Sequence, residues 1–446
     1  MNAASFLRRL LGRQRASVGE RVRQLVSLCV TLLGERGEVS GAAMARDALG
    51  AWKALDARGR GEFFDALAQE FAPSPEAVGK AADAYRYDPT PRNLVALQEV
   101  IDSARQELFR RLNMAPGGTE TLVAMRRELL RGLKDHPDWR GIDADLLHLF
   151  RSWFNRGFLR LERIDWRTPA IVLEKLIEYE AVHAIQGWRD LRRRLQADRR
   201  CFGFFHPQLR DEPLIFIEVA LTQGMSAQVQ PLLDVDSPVA VPEQADCAIF
   251  YSITNCQEGL RGTSFGNLLI KQVAEDLKRE FPHLKTFATL SPIPGFRRWL
   301  AAPDTRVQLS VGPDAERRHA LLAKIEEPGW HQGELDEALQ KLLTRLCAWY
   351  LVHAKQNGEP LDPVSRFHLG NGAALERLNW LGDSSASGMA RSAGLMVNYV
   401  YRLEEVERNH ERYFSEHAVV ASRAVEKLAR KSPLGEPEAK RAGAER

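Results

Sequence analysis

With 446 residues, 44% of them hydrophobic and 27% charged, the chain has the composition of a folded protein, not a collagen-like or disordered one, and it is long enough for two domains. Its 62 basic and 59 acidic residues nearly cancel, for a formal charge of +3. That balance excludes a global pull toward nucleic acid, so any anion site must be local.

The five cysteines, Cys29, Cys201, Cys247, Cys256 and Cys347, are dispersed, with no Cys-x-x-Cys pair. This pattern points to reduced, buried thiols in a cytoplasmic compartment, with no disulfide framework and no zinc cluster. No apolar run approaches the ~20 residues that span a bilayer; the best, Leu25 to Leu33, is too short. Arg8, Arg9, Arg13 and Arg15, with no acid before Glu20, have the look of a mitochondrial presequence. A basic first helix is the simpler reading in so arginine-rich a chain, so a cytoplasmic protein is expected.

From Phe6 to about Leu195 the pattern is helical. Leu94, Leu97 and Ile101 recur at helical spacing, as do Leu122, Met125, Leu129 and Leu130, and then Leu146, Leu149 and Phe150. Pro73-Ser74-Pro75, Asp88-Pro89-Thr90-Pro91 and Pro116-Gly117-Gly118 mark turns between helices. The texture changes after the basic stretch Arg189 to Arg200. Pro213 to Leu221, Asp246 to Ile253 and Leu284 to Leu290 are rich in Ile, Phe, Val and Thr and read as strands. Between the last two, Phe265 to Phe281 reads as a helix with Leu269, Val273 and Leu277 on one face, stopped by Pro282. Helices return from Glu316 to Lys355, and Gly394 to Leu403 is a final strand candidate.

Three segments can carry chemistry. Gln257 to Asn267, glycine-rich and between a strand and a helix, would let backbone N–H groups cradle a phosphate, with Arg261 adding charge. It is neither a Walker loop nor a dinucleotide fingerprint, and by pattern alone an ordinary tight turn explains it equally well. In Leu290-Ser291-Pro292-Ile293-Pro294-Gly295 two prolines stiffen a loop that could hold the Ser291 hydroxyl at a strand end. A rigid corner whose serine caps the next helix is the blander alternative. His368, in the Gly/Asn-rich Arg366 to Ala373 segment ahead of a helix expected over Ala373 to Trp380, could have a tuned pKa. The other histidines read as packing (His353) or solvated (His410, His417). There is no His-Glu-x-x-His and no defensible carboxylate pair.

Taken together, "YSITNCQEGLRGTSFGNLLIKQVAEDLKREFPHLKTFATLSPIPGF", "DPVSRFHLGNGAALERLNW", "GLMVNYVY" and "YEAVHAIQGWRDLRRRL" closely resemble the malonyl-CoA decarboxylase family. The resemblance is firm from about Glu178 to Tyr401. It implies an α+β chain: a helical N-terminal bundle over 1–190 that makes a homo-oligomer, and over 191–446 a catalytic domain of the GNAT acyltransferase type. It further implies malonyl-CoA as substrate, bound at its diphosphate by the backbone of Arg261, Gly262, Thr263, Ser264, Phe265, Gly266 and Asn267. By the same resemblance Ser291 and His368 are the catalytic pair, and Tyr401 matches a tyrosine near them. Some relatives are expected to carry a carboxylate where this chain has Ser264, which leaves that side chain without an assigned role. No metal or organic cofactor is implied, because a β-carboxy thioester can lose carbon dioxide directly to a thioester enolate. A GNAT-type N-acyltransferase with an amine acceptor, or a non-catalytic CoA-binding scaffold, would share the CoA loop.

Overall fold

A computed structural model describes residues 17–35, 37–102, 104–263, 269–334 and 336–435. The chain forms two compact units. One comprises Met1–Arg160 with Phe205–Glu212 and Gln257–Phe265; the other comprises Leu161–Phe204, Pro213–Cys256 and Gly266–Arg446.

The first unit is built of helices, the longer ones Val18–Gly34, Glu38–Lys53, Ala57–Glu70, Gly118–Gly132 and Arg140–Trp153. Their starts are written in the sequence. Ser17 and Glu20 form a reciprocal capping box, Asp56 caps the helix that follows it, and Ser74 and Thr90 each cap a helix whose first residue is proline. Of the expected stripes, Leu122, Met125, Leu129 and Leu146, Leu149, Phe150 are buried in its core, and Leu130 is only partly buried. The stripe Leu94, Leu97, Ile101 is not. The helices Pro75–Tyr87 and Pro91–Ile101 pack on each other and bury none of their residues.

The second unit begins thirty residues before the expected boundary (190 − 160), because the chain enters a sheet there. Its strands are β1 (Arg160–Ile164), β2 (Arg199–His206), β3 (Leu209–Thr222), β4 (Cys247–Asn255), β5 (Thr286–Thr289), β6 (Ser291–Pro292), β9 (Ala374–Asn379) and β10 (Met396–Val400), with a separate hairpin of β7 (Lys355–Gln356) and β8 (Glu359–Pro360). The order is β1-β2-β3-β4-β5-β10-β6, and β9 pairs with β10. The arginines toward the end of the basic stretch are interior. Arg193, Arg194, Arg199 and Arg200 are all under 9% exposed and are held by Asp198, Asp190, Glu218 and Glu280.

β3 pairs antiparallel with β4, and β10 antiparallel with β5, β6 and β9, whereas β4 and β5 run parallel from Cys247 opposite Thr286 to Phe250 opposite Thr289. Across β3 and β4, Val219 faces Phe250 while Glu218 faces Ser252, so Tyr251 is an extra residue, a β-bulge. An all-helical region followed by a mixed α/β sheet domain is the α+β class expected. Among the described residues no helix is long and apolar enough to cross a membrane.

Candidate active site

The site forms where the parallel pair ends. The Leu290 N–H still reaches the Phe250 carbonyl at 3.0 Å, but the ladder stops at Phe250 and Thr289. β4 runs on through the bulge to Asn255, while the chain after β5 stays with β10 in one register, Ala288 opposite Val400 and Ser291 opposite Val397. A cavity of about 230 Å³ lies there, walled by Phe250, Ile253, Leu290, Pro292 and Phe367, with Ser291 and His368 in its lining.

His368 does not lie in a loop. It sits in a helix, Pro363–Gly370, which Asp362 caps by accepting the N–H groups of Val364 (3.0 Å) and Ser365 (2.9 Å). Asp362-Pro363 is a start signal readable in the sequence. Nor is Ala373 to Trp380 a helix: Gly372 at φ +81° ends the preceding helical turn, and Ala374–Asn379 is β9, paired with β10. Pairing with a distant strand overrides the local pattern.

Four buried groups then form one chain of hydrogen bonds. Ser291 Oγ donates to Thr289 Oγ1 at 2.8 Å, and Thr289 Oγ1 also accepts the Tyr399 N–H at 3.1 Å. Ser291 Oγ lies 2.9 Å from His368 Nε2, and His368 Nδ1 lies 2.8 Å from the Tyr401 hydroxyl. Because the serine proton is directed at Thr289, Nε2 must carry the imidazole proton, and Nδ1 then accepts from Tyr401. The imidazole stacks on Tyr399, with ring centroids 4.6 Å apart. Burial lowers the His368 pKa to about 3 and pushes Tyr401 well above its ordinary value. The resting site is therefore neutral, with its protons engaged along the chain.

Sequence reasoning placed Ser291, His368 and Tyr401, and the structure brings all three together. It missed Thr289 and Tyr399. Each lies two residues from a member of the chain on the same strand run, and the period of two was the available signal. It also missed Glu180, whose Oε1 accepts the N–H groups of Val182 and His183, both at 2.8 Å, while its carboxylate takes the Ser252 hydroxyl at 2.7–2.8 Å. That clamp sets Val182 in the cavity wall.

Of the expected CoA loop, Arg261, Gly262 and Thr263 are described and belong to the first unit, whereas Ser264, Phe265, Gly266 and Asn267 lie outside the described residues. Gly262 has φ +82°, a conformation that favours glycine. The Arg261 side chain is exposed and lies 3.7 Å from Glu258. The helix expected from Phe265 is described from Leu269 to Glu280. Burial raises the thiols of Cys29, Cys201, Cys247 and Cys347, which makes them poor nucleophiles.

Comparison with known proteins agrees with this geometry. Residues 157–439 match the malonyl-CoA decarboxylase C-terminal domain, and residues 71–154 match the N-terminal domain of the same family. The mitochondrial malonyl-CoA decarboxylase of Anser anser anser is 38% identical over 372 residues, which cover 78% of this chain and 71% of that protein. Crystal structures of malonyl-CoA decarboxylase from Rhodopseudomonas palustris and Agrobacterium vitis are 49% and 48% identical. Their TM-scores are 0.86 and 0.83, and each comparison covers 91% of this chain and 99% of the other. Matched in both domains and along most of its length, the chain belongs to the malonyl-CoA decarboxylase family.

Proposed function

We propose that the protein converts malonyl-CoA to acetyl-CoA and carbon dioxide at Ser291 and His368, without a metal or an organic cofactor. The observation that carries this reading is the neutral Thr289–Ser291–His368–Tyr401 chain at an apolar cavity.

Breaking the carbon–carboxylate bond leaves an electron pair that the thioester carbonyl takes up as an enolate. Two requirements follow: donors for the enolate oxygen and a proton for carbon. A preorganised donor in a dry site contributes about 2.7–4 kcal/mol, and proton transfer about 10²–10⁴-fold. The Ser291 hydroxyl, held by the Nε2–H of His368, becomes such a donor by swinging from Thr289 to the enolate oxygen. The apolar walls strip water from the substrate carboxylate, whose charge disperses as carbon dioxide leaves.

The reaction consumes one proton, and free His368 does not hold it. A carboxylate entering beside the imidazole favours the protonated ring, so the substrate draws the proton onto His368 as it binds. Ser291 and His368 then pass it to carbon. Tyr401 suits this cycle because a phenol both donates to Nδ1 and accepts from Nδ1–H, whereas a carboxylate there would hold the ring charged. At the other end of the substrate, the backbone from Arg261 to Asn267 carries the CoA diphosphate; the positive φ of Gly262 supports this.

Malonyl-CoA alone should give acetyl-CoA and carbon dioxide in equal amounts, at a rate unchanged after exhaustive EDTA treatment. Product formation only with an added amine would make the protein an N-acyltransferase, and binding without turnover would make it a scaffold. Loss of rate restored by a metal ion would overturn the cofactor-free reading. We further place the protein in the cytoplasm as a homo-oligomer assembled through its helical unit, whose helices Pro75–Tyr87 and Pro91–Ile101 leave Val95 and Ile101 half exposed. Light scattering on the protein and on a Val95→Glu/Ile101→Glu variant tests the assembly, and fractionation tests the location.

A further inference from the structure

Arg126, in the helix Gly118–Gly132, is only 2% exposed. Its Nε donates to Asp143 Oδ1 at 2.8 Å, and its Nη1 donates to two backbone carbonyls, those of Gly259 at 2.8 Å and Arg261 at 2.7 Å. These are charge-assisted bonds, and they join residues 133 and 135 positions apart within one compact unit. The loop is held against the helix from a second side. A Cβ on Gly259 would lie 2.1 Å from the Val123 carbonyl oxygen, so only glycine permits this approach.

The consequence concerns the opposite face of the loop. In a trans peptide the C=O of one residue and the N–H of the next point in opposite directions. With the carbonyls of Gly259 and Arg261 turned to Arg126, the N–H groups of Leu260 and Gly262 are turned away from it. The Leu260 N–H is used inside the turn, reaching the Gln257 carbonyl at 2.9 Å. The Gly262 N–H has no acceptor among the described residues, and Gly262 is exposed.

We propose that Arg126 is a positioning residue for the CoA diphosphate: by holding the Arg261 carbonyl it presents the Gly262 N–H to phosphate oxygen. This rests on the malonyl-CoA reading above. It gives the helical unit a part in substrate binding, besides any part in assembly.

The test compares malonyl-CoA with malonyl-pantetheine, which has the same reacting end and no diphosphate. Arg126→Met keeps the buried stem and removes the guanidinium. It should raise KM for malonyl-CoA roughly tenfold or more, about the worth of one or two such hydrogen bonds, with kcat little changed and turnover of malonyl-pantetheine at the parental level. Arg126→Lys should recover part of the loss. Gly259→Ala, which displaces the loop without touching charge, should repeat the signature and stands in if Arg126→Met fails to fold. Calorimetric titration with CoA should show weakened binding in the same variants. A folded variant with parental KM and CoA affinity overturns the proposal, as does an equal loss on both substrates. If the parent turns over neither substrate, the decarboxylase reading fails, and the CoA titrations alone decide the role of Arg126.

Discussion

Replacing Tyr401 by phenylalanine removes one oxygen from a position that is 1% exposed. The ring volume stays, and so does the packing against Phe250, whose centroid lies 6.4 Å away. What is lost is the donor 2.8 Å from His368 Nδ1. A buried acceptor left without a partner costs about 1–3 kcal/mol. Moving the imidazole proton to Nδ1 gives no relief, because an Nδ1–H would equally lack a partner, and it would force the Ser291 hydroxyl to leave Thr289 and donate to Nε2. Either outcome unsettles the Nε2–H to Ser291 bond on which the proposed proton relay depends. At about 1.36 kcal/mol per decade, kcat should fall roughly 5- to 150-fold. KM should change little, because the CoA loop belongs to other residues. The assay is steady-state release of acetyl-CoA, alongside ¹⁵N chemical shifts of the histidine ring and thermal unfolding. A folded Tyr401→Phe protein with kcat within about twofold of the parent and an unshifted ring tautomer would refute the assignment.

Ser291→Ala and His368→Ala should each lower turnover at least about 10²-fold with the circular dichroism spectrum unchanged; near-parental activity in either removes that residue from the mechanism. Stability should carry an acid signature from His368, whose pKa is about 3 folded against an ordinary 6.5. Here the unfolded state binds the proton more readily, so the contribution is intact above pH ~6.5 and is lost as pH falls toward 3. Between pH 7 and 5 the parent should lose about 2 kcal/mol more than His368→Asn in urea unfolding; parallel pH profiles would show that the ring titrates normally. Gly262→Val has room for its Cβ, with the Leu147 side chain 3.7 Å away, but not the backbone at φ +82°. The strain of about 1–3 kcal/mol should weaken malonyl-CoA and free CoA alike, and unchanged titrations would reduce the loop to a turn.

Local pattern alone determined the strands through Pro213 to Leu221, Asp246 to Ile253 and Leu284 to Leu290, which appear as β3, β4 and β5. Their β-branched and aromatic runs suit a half-buried pleated surface wherever they pair. The same holds for the capped helices of the first unit, whereas Ser291, His368 and Tyr401 were singled out as a site by resemblance to the family and not by local pattern. What tertiary structure decided is everything that depends on a distant partner. Ala374–Asn379 is a strand because β10 lies beside it, not because of its own residues. Arg194 is one of a basic stretch in the sequence, and only the fold brings Glu218, twenty-four positions on, to receive it in the interior at 2.7 Å. Ser291 and His368 stand 77 positions apart. Neither which imidazole nitrogen carries the proton nor how far burial lowers its pKa exists as a property of the segment around either residue. Both arise only when the end of the β4–β5 ladder, the Asp362-capped helix and β10 bring four polar groups into one dry place, where each hydrogen bond constrains the next.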